Sequence, residues 1–278
     1  MLNLLVNLEG LKNALILGLG AVNVYQAAKR FNRNNKNEKT RNDPESSVNC
    51  MPKSLERVVF VSVIHTDTDS VKNAKKTVRK VKPDVVAVEL DRERYEQLIS
   101  SQSSAETPEL PVTGDVVHNL LNQIAMLENS LSGITGTGVG EEMLTAIKEG
   151  RKVGAKIALV DRPISATVQA LSQVPLDEIY RLTSLVPDAT TEIEGGSAQD
   201  LMSFLKEDGS VDALMEQFKD EFPLLHEALI HQRDLYIAKA LLSILNDVEG
   251  NIVVVLGAGH TEGVRMTLGQ LIEAEAGS

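Results

Sequence analysis

The chain has a single cysteine, Cys50, among 278 residues. An internal disulfide and a thiolate-rich zinc cluster are therefore excluded, and a reducing compartment fits the composition. Positive charge is also scarce: 28 lysines and arginines stand against 39 acids, giving a net charge of -11 and a pI near 5.0. Neutralising phosphates needs a concentrated basic face, so nucleic acid is excluded as a partner class. The sequence shows no internal repeat. Nor does it contain an uninterrupted apolar run of membrane-spanning length. The nearest approach, "MLNLLVNLEGLKNALILGLGAVNVYQAA", reaches the ~20 residues a spanning helix needs only by tolerating Asn3, Asn7, Asn13, Asn23, Gly18 and Gly20.

That N-terminal stretch is nevertheless distinct from the rest of the chain. Glu9 and Lys12 are its only charges, and Lys29, Arg30, Arg33, Lys36, Lys39 and Arg41 come next against Glu38 alone. If residues 1–28 enter a membrane, the basic flank keeps the rest of the chain on the cytoplasmic side. A cleaved targeting segment or a surface amphipathic helix accounts for the same composition. Residues 1–41 are thus expected to anchor or target an intracellular protein, with the mitochondrial outer membrane as the suggested surface. Residues 42–56, rich in Pro, Ser and Asn, read as a linker. Residues 57–278 read as one domain, with polar surface insertions at 100–114 and 186–200.

Four short runs of β-branched residues stand out within that domain: "RVVFVSVI" (57–64), "DVVAVEL" (84–90), "KIALVD" (156–161) and "NIVVVLG" (251–257). Such continuous apolar runs are buried on both faces, as in parallel sheets. Amphipathic patterns lie between them. One runs from Asp69 to Val81 and is stopped by Pro83. "GEEMLTAIKEGRKVG" comes next with Met143, Leu144 and Ile147 inward, then "PLLHEALIHQRDLYIAKALLSIL" with Leu225, Leu229 and Tyr236 inward. The expected architecture is α/β: a central, mostly parallel mixed sheet with flanking helices and a ligand crevice at the C-terminal strand ends.

At or just past the C-terminal end of each run is a polar residue capable of chemistry: His65, Glu89, Asp161 and His260. Ligands of open α/β sheets bind outside the carboxyl ends of the strands, so these residues are candidates for one shared site. Two imidazoles and a carboxylate suit a divalent metal ion that keeps positions open for water, as metal-assisted hydrolysis requires. The "GAGHTEG" stretch is not a dinucleotide turn, because a helix but no further strand comes after it. Its glycines instead permit a tight corner that aims His260 into the crevice, through positive φ or close backbone approach. In "SGITGTGVGEE" a plain loop or lid fits better than a phosphate cradle, since no strand or lysine precedes it in the right place.

Five ordered motifs, "SVIHTDTDS", "PDVVAVELDRER", "GEEMLTAIKEG" with "ALVDRPISATVQAL", "EFPLLHEALIHQRDLYIAKAL" and "VVVLGAGHTEGV", resemble those of the TraB family. That family includes bacterial pheromone-shutdown proteins, archaeal homologues and eukaryotic TraB-domain proteins, and is distantly similar to the Tiki and GumN proteins. The "DRPI" and "EFPLLH" details resemble the eukaryotic branch most. Ser62 stands where the family's first motif has glycine. Since Tiki relatives are regarded as metal-dependent proteases, the resemblance implies a peptidase-like hydrolase. Its metal ligands would be His65, His260 and Glu89, with Glu89 alternatively the general base. Arg94 would orient Glu89 or hold an oxyanion. Glu142, Asp161 and Arg162 would support the ligands, with Arg233 and Asp234 entering from the long helix.

Structural roles compete with these. Arg233 and Asp234 point different ways on a helix, as two separate ion pairs would. Asp161 suits a cap for a helix starting near Pro163. His226 and His231 lack ligand spacing, and His118 has no supporting motif. A non-catalytic membrane-associated adaptor, or a module binding a peptide or anionic ligand, are the competing functions.

Overall fold

In the computed structural model, which describes residues 54–65, 67–101, 116–117, 119–123, 137–185, 203–207 and 209–276, four strands form one sheet. They are β1 (Val58–Val63), β2 (Val85–Val88), β3 (Lys156–Leu159) and β4 (Ile252–Gly257), in the spatial order β1-β4-β2-β3. Every described pair is parallel. The last strand therefore inserts between the first two, and the runs most uniformly apolar in sequence occupy the centre. All of β2 and β4 is buried, whereas β1 and β3 at the edges are partly exposed.

Alternate side chains of a strand point to opposite faces, and this divides the core in two. On one face Val61, Val63, Val86, Val88, Val253 and Val255 meet Ala74 and Val78 of α1 (Thr68–Val81), with Met143, Ala146 and Ile147 of α3 (Glu141–Val153). Between these helices in sequence lies α2 (Arg92–Ser101). The other face, with Val85, Ala87, Ile252, Val254 and Leu256, packs against α8 (Gln232–Asp247) and α9 (Ala258–Ala276). A third apolar cluster joins α4 (Ile164–Leu171), α5 (Leu176–Thr183), α6 (Ser210–Glu221) and α7 (Pro223–His226), centred on Leu171, Leu182, Phe218 and Leu225.

Local signals set the helix ends. Asp67 caps α1 by accepting from the Ser70 N–H at 2.8 Å, and Lys82 ends it in the left-handed conformation before Pro83. The long amphipathic pattern departs from expectation. A π-helical turn, Glu227–His231, separates α7 from α8. Each such turn holds one extra residue and rotates the inward face accordingly. Leu225 and Leu229 are buried as expected, but beyond the turn the buried set is Ile237, Ala238, Leu241 and Leu245, and Tyr236 is 46% exposed. A straight 3.6-residue period does not survive the turn.

Among the described residues no helix is long and apolar enough to cross a membrane. The expectations for residues 1–41, for most of the linker and the two insertions, and for His118 fall outside those residues.

An ion-pair bridge ties the two helices on the first face. Arg79 Nε of α1 donates to Glu149 Oε2 of α3 at 2.5 Å, and Lys152 Nζ donates to Oε1 at 2.8 Å. These hydrogen bonds, Arg79 first, lower the Glu149 pKa from 4.5 to about 2. A carboxyl depressed in the folded state contributes stability above its unfolded pKa and loses that contribution as pH falls through the folded value. Urea titrations should therefore show wild-type stability declining from about pH 4.5 toward 2, and Glu149→Gln should flatten that limb at low salt. Identical acid limbs would contradict this role.

Candidate functional site

All four strands stop at the same rim of the sheet, and each delivers its polar residue there. β4 passes without a loop into α9, and Gly257, its last residue, is the meeting point. A Cβ on Gly257 would lie 3.2 Å from His65 Nε2, 3.3 Å from Glu89 Oε2 and 3.9 Å from His260 Cδ2. The three residues singled out in the sequence thus meet around the space that a side chain on Gly257 would occupy. The Gly257 N–H donates to Glu89 Oε2 at 2.7 Å. Close approach is what demands glycine here; Gly257 does not have positive φ.

Each imidazole is backed by a buried carboxylate. His65 Nδ1 lies 2.7 Å from Oε1 of Glu142, whose side chain is wholly buried in the first turn of α3. The other oxygen, Glu142 Oε2, has no hydrogen-bond partner among the described residues. His260 Nδ1 lies 2.7 Å from Asp234 Oδ1. An ionised carboxylate only accepts, so both histidines carry their proton on Nδ1 in these contacts. His65 is 38% exposed at the rim, while His260 is only 8% exposed.

Arg233 lies at the centre of the cluster. Its Nη2 donates to Glu89 Oε1 at 2.6 Å and to Asp161 Oδ2 at 2.8 Å, and its Nε donates to Asp161 Oδ1 at 3.2 Å. Its Nη1 donates to His260 Nε2 at 2.9 Å. A guanidinium has no acceptor, so this last contact assigns His260 as the neutral Nδ1–H tautomer with its Nε2 lone pair engaged. Burial would lower the Arg233 pKa, but Glu89 and Asp161 outweigh it and raise the value above the usual one. Burial likewise works to raise the Glu89 pKa, whereas the Arg233 guanidinium and the Gly257 N–H, which donate to its two oxygens, hold it below the usual carboxylate range.

The remaining expected residues fall around this centre. Arg94 donates to Asp161 Oδ2 at 3.2 Å, and no hydrogen bond or ion pair links it to Glu89. Orientation of Glu89 falls to Arg233 instead. Asp161 does not cap α4, whose start has no side-chain cap; it accepts from the Arg162 N–H and gathers Arg94 and Arg233. Arg162 turns away from the carboxylates toward Thr167 Oγ1, Gln232 Oε1 and the Ala228 carbonyl in the π-helical turn. Thr167 and Gln232 were not anticipated from the sequence, since neither belongs to a charged pattern. Arg233 and Asp234 do form separate pairs, as neighbours on a helix should, yet both pairs end on His260. His226 packs edge-on against Phe218, and His231 pairs with Glu227 at the surface.

An open cleft of about 450 Å³ adjoins the rim, lined by Ile64, Ser62, Ala258 and Thr261 among others. Ser62, the residue replacing the motif glycine, is exposed on the wall of that cleft.

The donor set implied for a divalent ion has the right chemistry but not the right vacancies. Ligating histidines commonly have a carboxylate behind the other ring nitrogen, as both do here. However, Arg233 engages His260 Nε2 and Glu89 Oε1, and Gly257 engages Glu89 Oε2. Among the described residues no group of three His, Cys, Asp or Glu side chains is arranged to hold an ion. The arrangement as it stands does not fit a divalent metal.

A parallel α/β domain with a buried His, Glu, Asp and Arg cluster at its strand ends is the class that this geometry defines. The TraB/PrgY/gumN family matches residues 53–276, and the chain belongs to that family. It is 26% identical over 211 residues to an uncharacterised protein of Methanocaldococcus jannaschii, covering 74% of this chain and 52% of that one. It is 28% identical over 255 residues to the TraB domain-containing protein of Homo sapiens, covering 80% of this chain and 65% of that one. The Bos taurus TraB domain-containing protein is similar at 27%. The chain thus spans between half and two thirds of the length of these relatives.

Gly263 secures the innermost pair. A Cβ there would fall 2.0 Å from Asp234 Oδ2, so Gly263→Ala should drive Asp234 away from His260. The expected cost is roughly 1–3 kcal/mol of stability, with loss of the hydrogen-bonded Nδ1 proton of His260 in imidazole NMR spectra. An unchanged His260 resonance would show that the pair does not depend on this glycine.

Proposed function

We propose that the chain is a hydrolase in which His65 is the general base. One observation carries this: a half-exposed imidazole at the mouth of the strand-end cluster, held through Nδ1 by a fully buried carboxylate, Glu142, at 2.7 Å. In that setting Nε2 accepts the proton of an attacking water, and Glu142 stabilises the imidazolium that results. Arg94, 40% exposed and tied to the cluster through Asp161, is the guanidinium able to meet negative charge developing on a carbonyl oxygen. The protonated His65 then returns its proton to the leaving group. A peptide bond is the substrate class that the family resemblance suggests.

A divalent ion held by His65, His260 and Glu89 is the second reading, favoured by the carboxylate behind each imidazole. It requires the Arg233 guanidinium to give up His260 and Glu89.

Purified protein should be assayed against pooled peptides and activated esters, with His65→Asn and Glu142→Gln alongside. Hydrolysis should fall by ~10²–10⁴-fold in His65→Asn and by a smaller factor in Glu142→Gln, both variants remaining folded. Turnover unaffected by His65→Asn would overturn the assignment. Peptide binding without turnover in the wild type would support a binding module instead.

A further inference from the structure

We infer that the outer edge of β1 binds an extended, cationic peptide segment, which adds to the sheet as a further strand and leads to His65. This deepens the hydrolytic reading and rests on it for its purpose, though not for its geometry. β1 is an edge strand, with β4 on one side and no described strand on the other. The ladder fixes which of its backbone groups face outward. The Glu89 N–H donates to the Val255 carbonyl, so the groups of Val255 face β2 and those of Val254 and Leu256 face β1. Parallel pairing then turns Val61, the partner of Val255 in register, inward. The N–H and C=O groups of Phe60 and Ser62 are left pointing away from the sheet. Ile64, two residues on, agrees: its N–H is taken by Ser70 Oγ at 3.0 Å, and its carbonyl accepts from the Asp67 N–H. Among the described residues no such backbone bond from outside the sheet reaches Phe60 or Ser62.

The cleft beside the rim lies along this edge. α1 covers one face of the sheet and α9 the other, yet Asn73 of α1, Thr261 of α9, and Ser62 and Ile64 between them line one space. A space bounded by both helices is at the edge of the strand they enclose, and Leu205 and Val211 close it from the far side. An exposed strand edge is a template for another strand unless it is covered. Charge selects the occupant. Asp67, Asp69, Glu207, Asp212 and Glu262 line the cleft against Lys206, whose ammonium lies 2.8 Å from Asp67 Oδ1 and 2.9 Å from Asp69 Oδ2. Lysine or arginine on an incoming strand therefore meets an excess of carboxylate, while its main chain meets the outward groups of Phe60 and Ser62.

Fluorescence anisotropy with full-length His65→Asn, which keeps the probe intact under the hydrolytic reading, tests this. The probe is a labelled heptapeptide of alternating valine and lysine. Two isomers of it carry N-methyl groups on alternate amides, one on the odd residues and one on the even. A strand at a sheet edge uses every second N–H, so one isomer should bind about tenfold or more weakly than the parent and the other should match it. Ser62→Pro, which removes an outward N–H at an edge position that tolerates proline, should weaken the parent peptide by a similar factor. The peptide isomers decide the matter if that variant does not fold. Replacing lysine by glutamate in the probe should abolish binding, and Asp69→Asn with Asp212→Asn should weaken it severalfold. Equal affinity of the parent and both methylated isomers, or of the lysine and glutamate probes, would overturn the inference, as would no binding up to about 1 mM. A wild-type dimer that Ser62→Pro dissociates would assign the edge to a second copy of the chain and overturn it too. Binding of this kind without cleavage by the wild type would uphold the inference and sink the hydrolytic reading alone.

Discussion

Bringing carboxylates from several strand ends into one buried place is opposed by desolvation and by their mutual repulsion, both steep where water is scarce. Glu89, Asp161 and Asp234 are each about 5% exposed or less, and they are tolerated together because Arg233 and the imidazole of His260 lie among them. The guanidinium reaches Glu89 and Asp161, while His260 accepts from Arg233 on one nitrogen and donates to Asp234 from the other. This chain of contacts fixes the ionisation of Glu89, the tautomer of His260 and the registration of three strand ends against one helix. The rest of the rim, including the His65–Glu142 pair, is built around it.

The fold delivers Arg233 to that position by a particular route. β4 enters between β1 and β2, so its last residue, Gly257, lies against residues from strands far earlier in the chain. α8 covers the opposite face of the same strands and presents Arg233 and Asp234 from its first turn. The π-helical turn ahead of it sets the rotation of α8, and the turn's Ala228 carbonyl is held by Arg162. A local helical irregularity thus has a direct effect on the site, as such turns often do.

Much of this was legible in sequence. The four β-branched runs became the four strands within one or two residues, and the polar residue ending each, His65, Glu89, Asp161 and His260, lies at the common rim. Parallel pairing followed from apolar runs with no polar alternation. Strand order was not legible, because neighbouring β-rich runs with similar composition carry no label for their partners. The inward face of the long helix was missed beyond the π-helical turn, since one extra residue shifts the period and leaves Tyr236 outside and Ile237 inside. Arg233 was expected to enter the site from the long helix but not to lie at its centre, as a helix pattern shows which residues are neighbours but not which distant strand ends they reach. One signal for it was present: two acids and two histidines expected at one crevice call for a cation, and Arg233 lies on a helix expected to cover that sheet.

The central claim is that Arg233 makes the buried Glu89 carboxylate tolerable, and a double-mutant cycle on stability tests it most directly. Arg233→Met alone should destabilise the fold by about 3–5 kcal/mol by orphaning buried charge. Combined with Glu89→Gln, the loss should be smaller than the sum of the two single losses by about 1–3 kcal/mol. Losses that add to within about 0.5 kcal/mol would show that the two residues act independently and would contradict the account.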